Sequence, residues 1–248
     1  MLEIRLLGPV EVRLDGNLVN IGHAKQRHVL AALLMDANNP VPSSQLISRV
    51  WGENPPRRAD KTLYSYLSRL RTTLPAGHLG VVRRDGGHVA EVDAAAIDVH
   101  RFRELVTRAH VGGREDPAQL LSEALRLWRG EAFAEPDTPW FGRLRELVTI
   151  ERQSAEMGLN EVLLRQGREA ELLPRLVTQD SSRPFDERLG AQLMLALYRL
   201  GRTKEALEHY QNLSRRLGDE LGLTPGATLR RLHQEILMGG PVADSLAC

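Results

Sequence analysis

Ala59-Asp60-Lys61-Thr62-Leu63-Tyr64-Ser65-Tyr66-Leu67-Ser68-Arg69-Leu70-Arg71-Thr72-Thr73-Leu74 has two faces when wound as a helix at 100° per residue. Leu63, Leu67, Leu70 and Leu74 fall in one narrow stripe that must be buried. Opposite them lie Lys61, Ser65, Ser68 and Thr72, flanked by Arg58, Thr62 and Arg69. No carboxylate is among them. Asp60 stands near the buried edge at the N-terminal end, where it is expected to cap the helix. A face of donors and acceptors without acids can approach phosphates and base edges. The bland alternative is an ordinary solvated face, although such faces usually mix in Glu.

The flanking sequence favours the first reading. Downstream, Val81-Val82-Arg83-Arg84, the turn Asp85-Gly86-Gly87 and His88-Val89-Ala90-Glu91-Val92 predict a β-hairpin. Upstream, Val29, Leu30, Leu33 and Leu34 recur at helical spacing until Asn38-Asn39-Pro40 ends the run. Ser43 or Ser44 is expected to cap a second short helix carrying Leu46, Ile47, Val50 and Trp51, and Pro55-Pro56 forces a loop after it. Before these helices, Leu2 to Leu7, Val10 to Leu14 and Leu18 to Ile21 alternate with Gly8-Pro9 and Asp15-Gly16-Asn17, which predicts a small antiparallel sheet. Strands, three helices and then a hairpin is the order of a winged helix-turn-helix. In that architecture the third helix enters the major groove and the hairpin tip reaches the adjacent minor groove or backbone. Arg83 and Arg84 are then expected to be wing contacts.

Lys61 to Arg71 followed by an Asp85-Gly86-Gly87 wing resembles the winged helix of the Streptomyces antibiotic regulatory protein family, a domain similar to the effector domain of OmpR-type response regulators. The opening Leu6-Leu7-Gly8-Pro9-Val10, and Leu46 to Trp51 followed by Gly52, fit the same pattern. The wing departs from it. The family pattern has Gly-Gly-Tyr-Arg there, whereas Gly87 is followed here by His88 and Val89.

From Asp98 onward the periodicity is almost wholly helical. Asp98 is expected to cap a helix through Phe102, Leu105 and Val106, and Asp116-Pro117 is a cap followed by a first-turn proline. Long amphipathic segments follow at about 138 to 166 and 184 to 200. Leu163-Leu164-Arg165-Gln166-Gly167-Arg168 matches Leu197-Tyr198-Arg199-Leu200-Gly201-Arg202, with the two glycines 34 positions apart. Leu173 then matches Leu207, and Leu176 matches Tyr210. A period of 34 with glycine between two helices is the tetratricopeptide signature. Leu125 to Gly130, Glu187-Arg188-Leu189, Leu193 to Arg199, Asp219 to Gly226 and Leu229 to Leu237 are similar to the bacterial transcriptional activation domain that follows the winged helix in the same family. The fold expected is mainly α with a small β component: a winged helix-turn-helix over 1–97, a tetratricopeptide-like helical array over 98–238, and a flexible tail over 239–248.

Composition narrows the function. Apolar residues are 42% and aromatics 4%, so the cores must be built largely from Leu, Val and Ala. Basic residues exceed acidic ones over 1–97 and the balance reverses beyond, which suits a nucleic-acid module joined to something else. The one cysteine, Cys248, allows no internal disulfide or thiolate cluster. No apolar run reaches the roughly 18 residues of a membrane span, and Met1 to Arg5 is no signal sequence, so a cytoplasmic, nucleoid-associated location is expected. There is no His-Glu-x-x-His, Gly-x-Ser-x-Gly or Gly-x-Gly-x-x-Gly, and no phosphate-binding Gly-x-x-x-x-Gly-Lys-Ser/Thr. Neither an enzyme nor a cofactor is expected. If the sequence is complete, activity is set by expression level or by a partner rather than by ATP.

The resemblance implies an activator that binds direct repeats near a promoter −35 region as a dimer on double-stranded DNA. It further implies recruitment of RNA polymerase holoenzyme, through the sigma factor and core subunits, to secondary-metabolite genes. Lys61, Thr62, Ser65 and Arg69 are expected at base edges, and Arg57, Arg58, Tyr64, Ser68, Arg71 and Thr72 at phosphates. Arg83, Arg84 and His88 make up the wing contacts. A tetratricopeptide protein-binding scaffold and a DNA-binding repressor are the competing readings.

Overall fold

The computed structural model describes residues 1–239; the expected tail beyond Gly239 lies outside the described residues. The chain forms two compact units that part between Ala155 and Glu156.

In the first unit, β1 (Leu2–Arg5), β2 (Glu11–Leu14) and β3 (Asn17–Leu18) form an antiparallel sheet in that order, with Ile4 opposite Val12. Three helices follow, α1 (Ala24–Leu34), α2 (Ser43–Trp51) and α3 (Ala59–Thr73), each packed on the other two. The hairpin β4 (Leu79–Arg84) and β5 (Gly87–Val92) then closes on α3 and α1. Leu30, Leu33, Leu46, Val50, Leu63, Leu67 and Leu70 are fully buried and supply the aliphatic core that the composition demanded. This is the winged helix-turn-helix.

Three of the expected caps do not form. Pro42, not a serine, precedes α2, and Ser43 is its first helical residue. Asp98 opens α4 (Asp98–Val111) but does not cap it. Its carboxylate turns back to accept the amides of Leu6 (2.8 and 2.9 Å) and Leu7 (3.0 Å), with Arg129 at 3.4 Å. Burial pushes this carboxyl above the ordinary range, opposed by those two amides and by Arg129. The carbonyls of Leu6 and Leu7 accept from Phe133 (2.9 Å) and Arg129 (2.8 Å). The expected strand over Leu2 to Leu7 therefore stops at Arg5, because Leu6 and Leu7 spend their hydrogen bonds on residues from beyond 97. Asp60 likewise lies inside the first turn of α3, and Arg58 takes the cap position. Asp116 does cap α5 (Pro117–Arg126), accepting from Ala118.

The same unit joins the start of α6 (Pro139–Arg165) to the winged helix. Thr138 donates to the Arg49 carbonyl at 2.7 Å, and the Arg49 guanidinium lies over the Trp140 ring at 4.6 Å. Buried His28 of α1 lies against Phe141.

In the second unit, the end of α6 is followed by α7 (Glu169–Ser182), α8 (Glu187–Arg199), α9 (Thr203–Leu221) and α10 (Ala227–Leu237). Helix α8 packs on α7 and α9, and α10 packs on α8 and α9. The 34-residue repeat is visible in the backbone. Gly167 and Gly201 both adopt left-handed φ, +69° and +75°, and the residue after each donates five positions back, Arg168 to Leu163 and Arg202 to Leu197, each at 3.0 or 2.9 Å. Inside, Asn160 donates to Gln179 (2.8 Å) and Gln192 (3.0 Å), three buried amides that tie α6, α7 and α8 together.

Candidate nucleic-acid interface

Helix α3 presents the expected surface. Leu63, Leu67 and Leu70 are buried, while Lys61, Ser65, Ser68, Arg69, Arg71 and Thr72 are exposed and Thr62 is half-exposed. Arg57 and Arg58 stand exposed in the loop just before it. Among the described residues, Arg57, Arg58, Lys61, Arg69 and Arg83 have no ion-pair partner, so their charge is not spent inside the fold. Thr62 and Thr72 hydroxyls donate to the Arg58 and Arg69 carbonyls, which leaves their oxygens as acceptors.

Several expected contacts are also structural. Arg71 donates from Nε to the Val81 carbonyl at 2.8 Å, which fixes α3 to β4. Tyr64 is 40% exposed, and its ring meets the His88 ring edge-on with centroids 5.7 Å apart. Arg84 reaches out from the wing tip but is bound by Glu91 across the hairpin, which raises its already high pKa. Arg83 is exposed beside it.

His88 is the correction. Expected among the wing contacts, it is 1% exposed and points inward. Its amide and carbonyl pair with Val41, each at 2.9 Å, and its Nε2 lies 3.1 Å from the Ser43 hydroxyl. The position that the family pattern gives to tyrosine is here a packed ring, so no basic group is offered at this point of the wing. Burial lowers its pKa, and the charges of Arg71 and Arg83 lower it further.

The strap of Val41, Pro42 and Ser43 is the part that sequence reading missed. The signal was the second glycine. The hairpin loop needs only Asp85-Gly86, because Gly87 already pairs with Arg84 in the ladder. Gly87 is required for another reason: a Cβ there would sit 2.2 Å from the Val41 carbonyl oxygen. A glycine beyond the needs of a turn marks close backbone approach.

Among the described residues, no group of His, Cys, Asp and Glu is arranged to hold a metal ion, and no helix is long and apolar enough to cross a membrane.

Residues 97–237 match the family described as bacterial transcriptional activator domain, and residues 21–86 match the transcriptional regulatory protein, C-terminal family. The chain is 35% identical over 251 residues to the transcriptional regulator RedD of Streptomyces coelicolor, covering 97% of this chain and 72% of RedD. It is 37% identical over 252 residues to the regulatory protein AfsR of the same organism, covering 99% of this chain but 25% of AfsR. A solved structure of Mycobacterium tuberculosis EmbR in complex with a low affinity phosphopeptide superimposes with a TM-score of 0.89 at 31% identity, covering 98% of this chain and 66% of EmbR.

Proposed function

Since the chain belongs to the Streptomyces antibiotic regulatory protein family of transcriptional regulators, we propose that it is a sequence-specific activator whose α3 reads duplex DNA while the wing steadies it on the backbone. The observation that carries this reading is the exposed face of α3. Lys61, Thr62, Ser65 and Arg69 stand together there without a carboxylate, and neither Lys61 nor Arg69 has an ion-pair partner among the described residues. These four reach base edges, with Arg69 and Lys61 suited to guanine O6 and N7. Arg57, Arg58, Tyr64, Ser68, Arg71 and Thr72 contact phosphates. Arg83 is the principal wing contact. Arg84 contributes less, because Glu91 already neutralises it.

Two protomers occupy a direct repeat near a promoter −35 region. The helical domain and the winged helix then engage RNA polymerase holoenzyme, through the sigma factor and core subunits, and switch on secondary-metabolite genes. The protein works in the cytoplasm, on the nucleoid. A scaffold role for α3 fits less well, because a docking helix exposes apolar anchors. Tyr64 is the one large apolar side chain exposed on α3 among the described residues, and it is engaged with His88.

The test is selection of duplexes from a random pool by the purified protein, followed by transcription in vitro with holoenzyme on a template bearing the winning motif. A tandem motif that raises transcript yield supports activation. A tandem motif that lowers yield identifies a repressor, and no motif at moderate salt contradicts the DNA-reading assignment.

A further inference from the structure

We infer that His88 is a positioning residue that locks the wing to the start of α2 and to α3, and so sets the distance between Arg83 and the base-reading face. Its consequence for DNA rests on the reading above; the lock itself rests on geometry. Three kinds of contact converge on the one residue. The backbone of His88 forms a two-hydrogen-bond antiparallel bridge with Val41, both at 2.9 Å. Its Nε2 meets the Ser43 hydroxyl of α2 at 3.1 Å, and its ring packs edge-on against Tyr64 of α3. Gly87 lets the hairpin come close enough for all of these, because any Cβ there would strike Val41.

The lock suits a neutral imidazole. Ser43 engages Nε2, while Nδ1 is buried with no hydrogen-bond partner. Protonation would bury a second N–H without an acceptor. The groups facing the ring add to that cost: Arg71 from α3 and Arg83 from β4 are both cationic, while Tyr64 from α3 and Ser43 from α2 are uncharged. The folded ring therefore titrates below the ordinary 6.5. The docked wing excludes the proton that an undocked ring would take up. Docking is thus fully present above about pH 6.5 and weakens as pH falls below it.

The experiment combines amide hydrogen exchange at His88 and Val41 with binding of a selected duplex, on the full chain, at pH 7.5 and pH 6. Wild type is compared with His88→Ala, with His88→Gln, whose amide nitrogen can stand where Nε2 stands, and with Ser43→Ala. The expected result is exchange at least about tenfold faster in His88→Ala with a similar loss of duplex affinity, the scale of one lost buried hydrogen bond with its packing. His88→Gln should recover most of both and lose the pH dependence that wild type shows. Should His88→Ala not fold, Ser43→Ala removes the same hydrogen bond from its half-buried partner and should speed exchange at both amides. Wild-type exchange and affinity in His88→Ala would overturn the inference, as would a His88→Gln as damaged as His88→Ala. If wild type selects no duplex at all but the exchange pattern holds, the wing lock stands and the DNA reading falls.

Discussion

Lys61 and Arg58 stand on the same face of α3 and its approach loop, yet they should fail differently when removed. A phosphate contact is indifferent to sequence, so Arg58→Ala should weaken specific and random duplexes alike and reduce the slope of log affinity against log salt by roughly 0.9. Lys61→Ala and Ser65→Ala should leave random-duplex binding nearly intact and cost about 1–3 kcal/mol of discrimination at one base step. Fluorescence anisotropy across a salt series separates the two outcomes. A second residue-scale prediction concerns His28, which is 4% exposed with both ring nitrogens unpartnered. Burial, with the nearby Lys25 charge, lowers its pKa to about 4. The unfolded chain takes up this proton near 6.5 and the folded chain does not, so stability is full above 6.5 and falls as pH drops toward 4. One such group should remove about 1.5 kcal/mol between pH 6.5 and 5, the slope approaching ~1.4 kcal/mol per pH unit once the unfolded ring is fully protonated. Thermal unfolding of His28→Leu should show a correspondingly flatter pH dependence over that interval; an unchanged slope would assign the acid sensitivity elsewhere.

At the scale of elements, the face of α3 and the hairpin after it were legible because hydrophobic period and turn glycines are local signals. The 34-residue repeat was legible for the same reason, and Gly167 and Gly201 end their helices alike. The capping serines and Asp98 were not. A side chain chooses between its own helix end and a distant amide according to what the fold brings near it, and Ser43 turned to His88 while Asp98 turned to Leu6 and Leu7. His88 is buried for a related reason: a polar residue near a hairpin tip looks exposed until another stretch of chain, here Val41, crosses it. Gly87→Ala tests how close that crossing is. With a Cβ otherwise 2.2 Å from a backbone oxygen, the wing must shift, and we expect about 1–3 kcal/mol of lost stability in urea unfolding. In the helical array, Asn160→Ala removes the shared donor of Gln179 and Gln192 and should cost about 1–3 kcal/mol for each buried oxygen left bare.

For the whole molecule, sequence reading divided the chain by type of periodicity, at 97 and 98. The compact units part farther along, between Ala155 and Glu156, because the first helices beyond 97 pack on the winged helix. Periodicity reports which elements form, not which side chains they bond. Leu6 and Leu7 are satisfied by Asp98, Arg129 and Phe133, and Thr138 and Trp140 hold Arg49. A fragment of residues 1–97 would leave these groups bare. It should unfold at markedly lower temperature than a fragment of residues 1–155, which differential scanning calorimetry can compare directly. On this reading the face of α3 reads base sequence within a regulator of transcription. Genome-wide capture of DNA by the purified full chain, run in parallel with Lys61→Ala, tests it most directly. A short tandem motif upstream of a few genes is expected, lost or blurred in Lys61→Ala while total DNA retained at low salt stays similar. Capture of the same motif with the same strength by both proteins would contradict the assignment of α3 as the base-reading element.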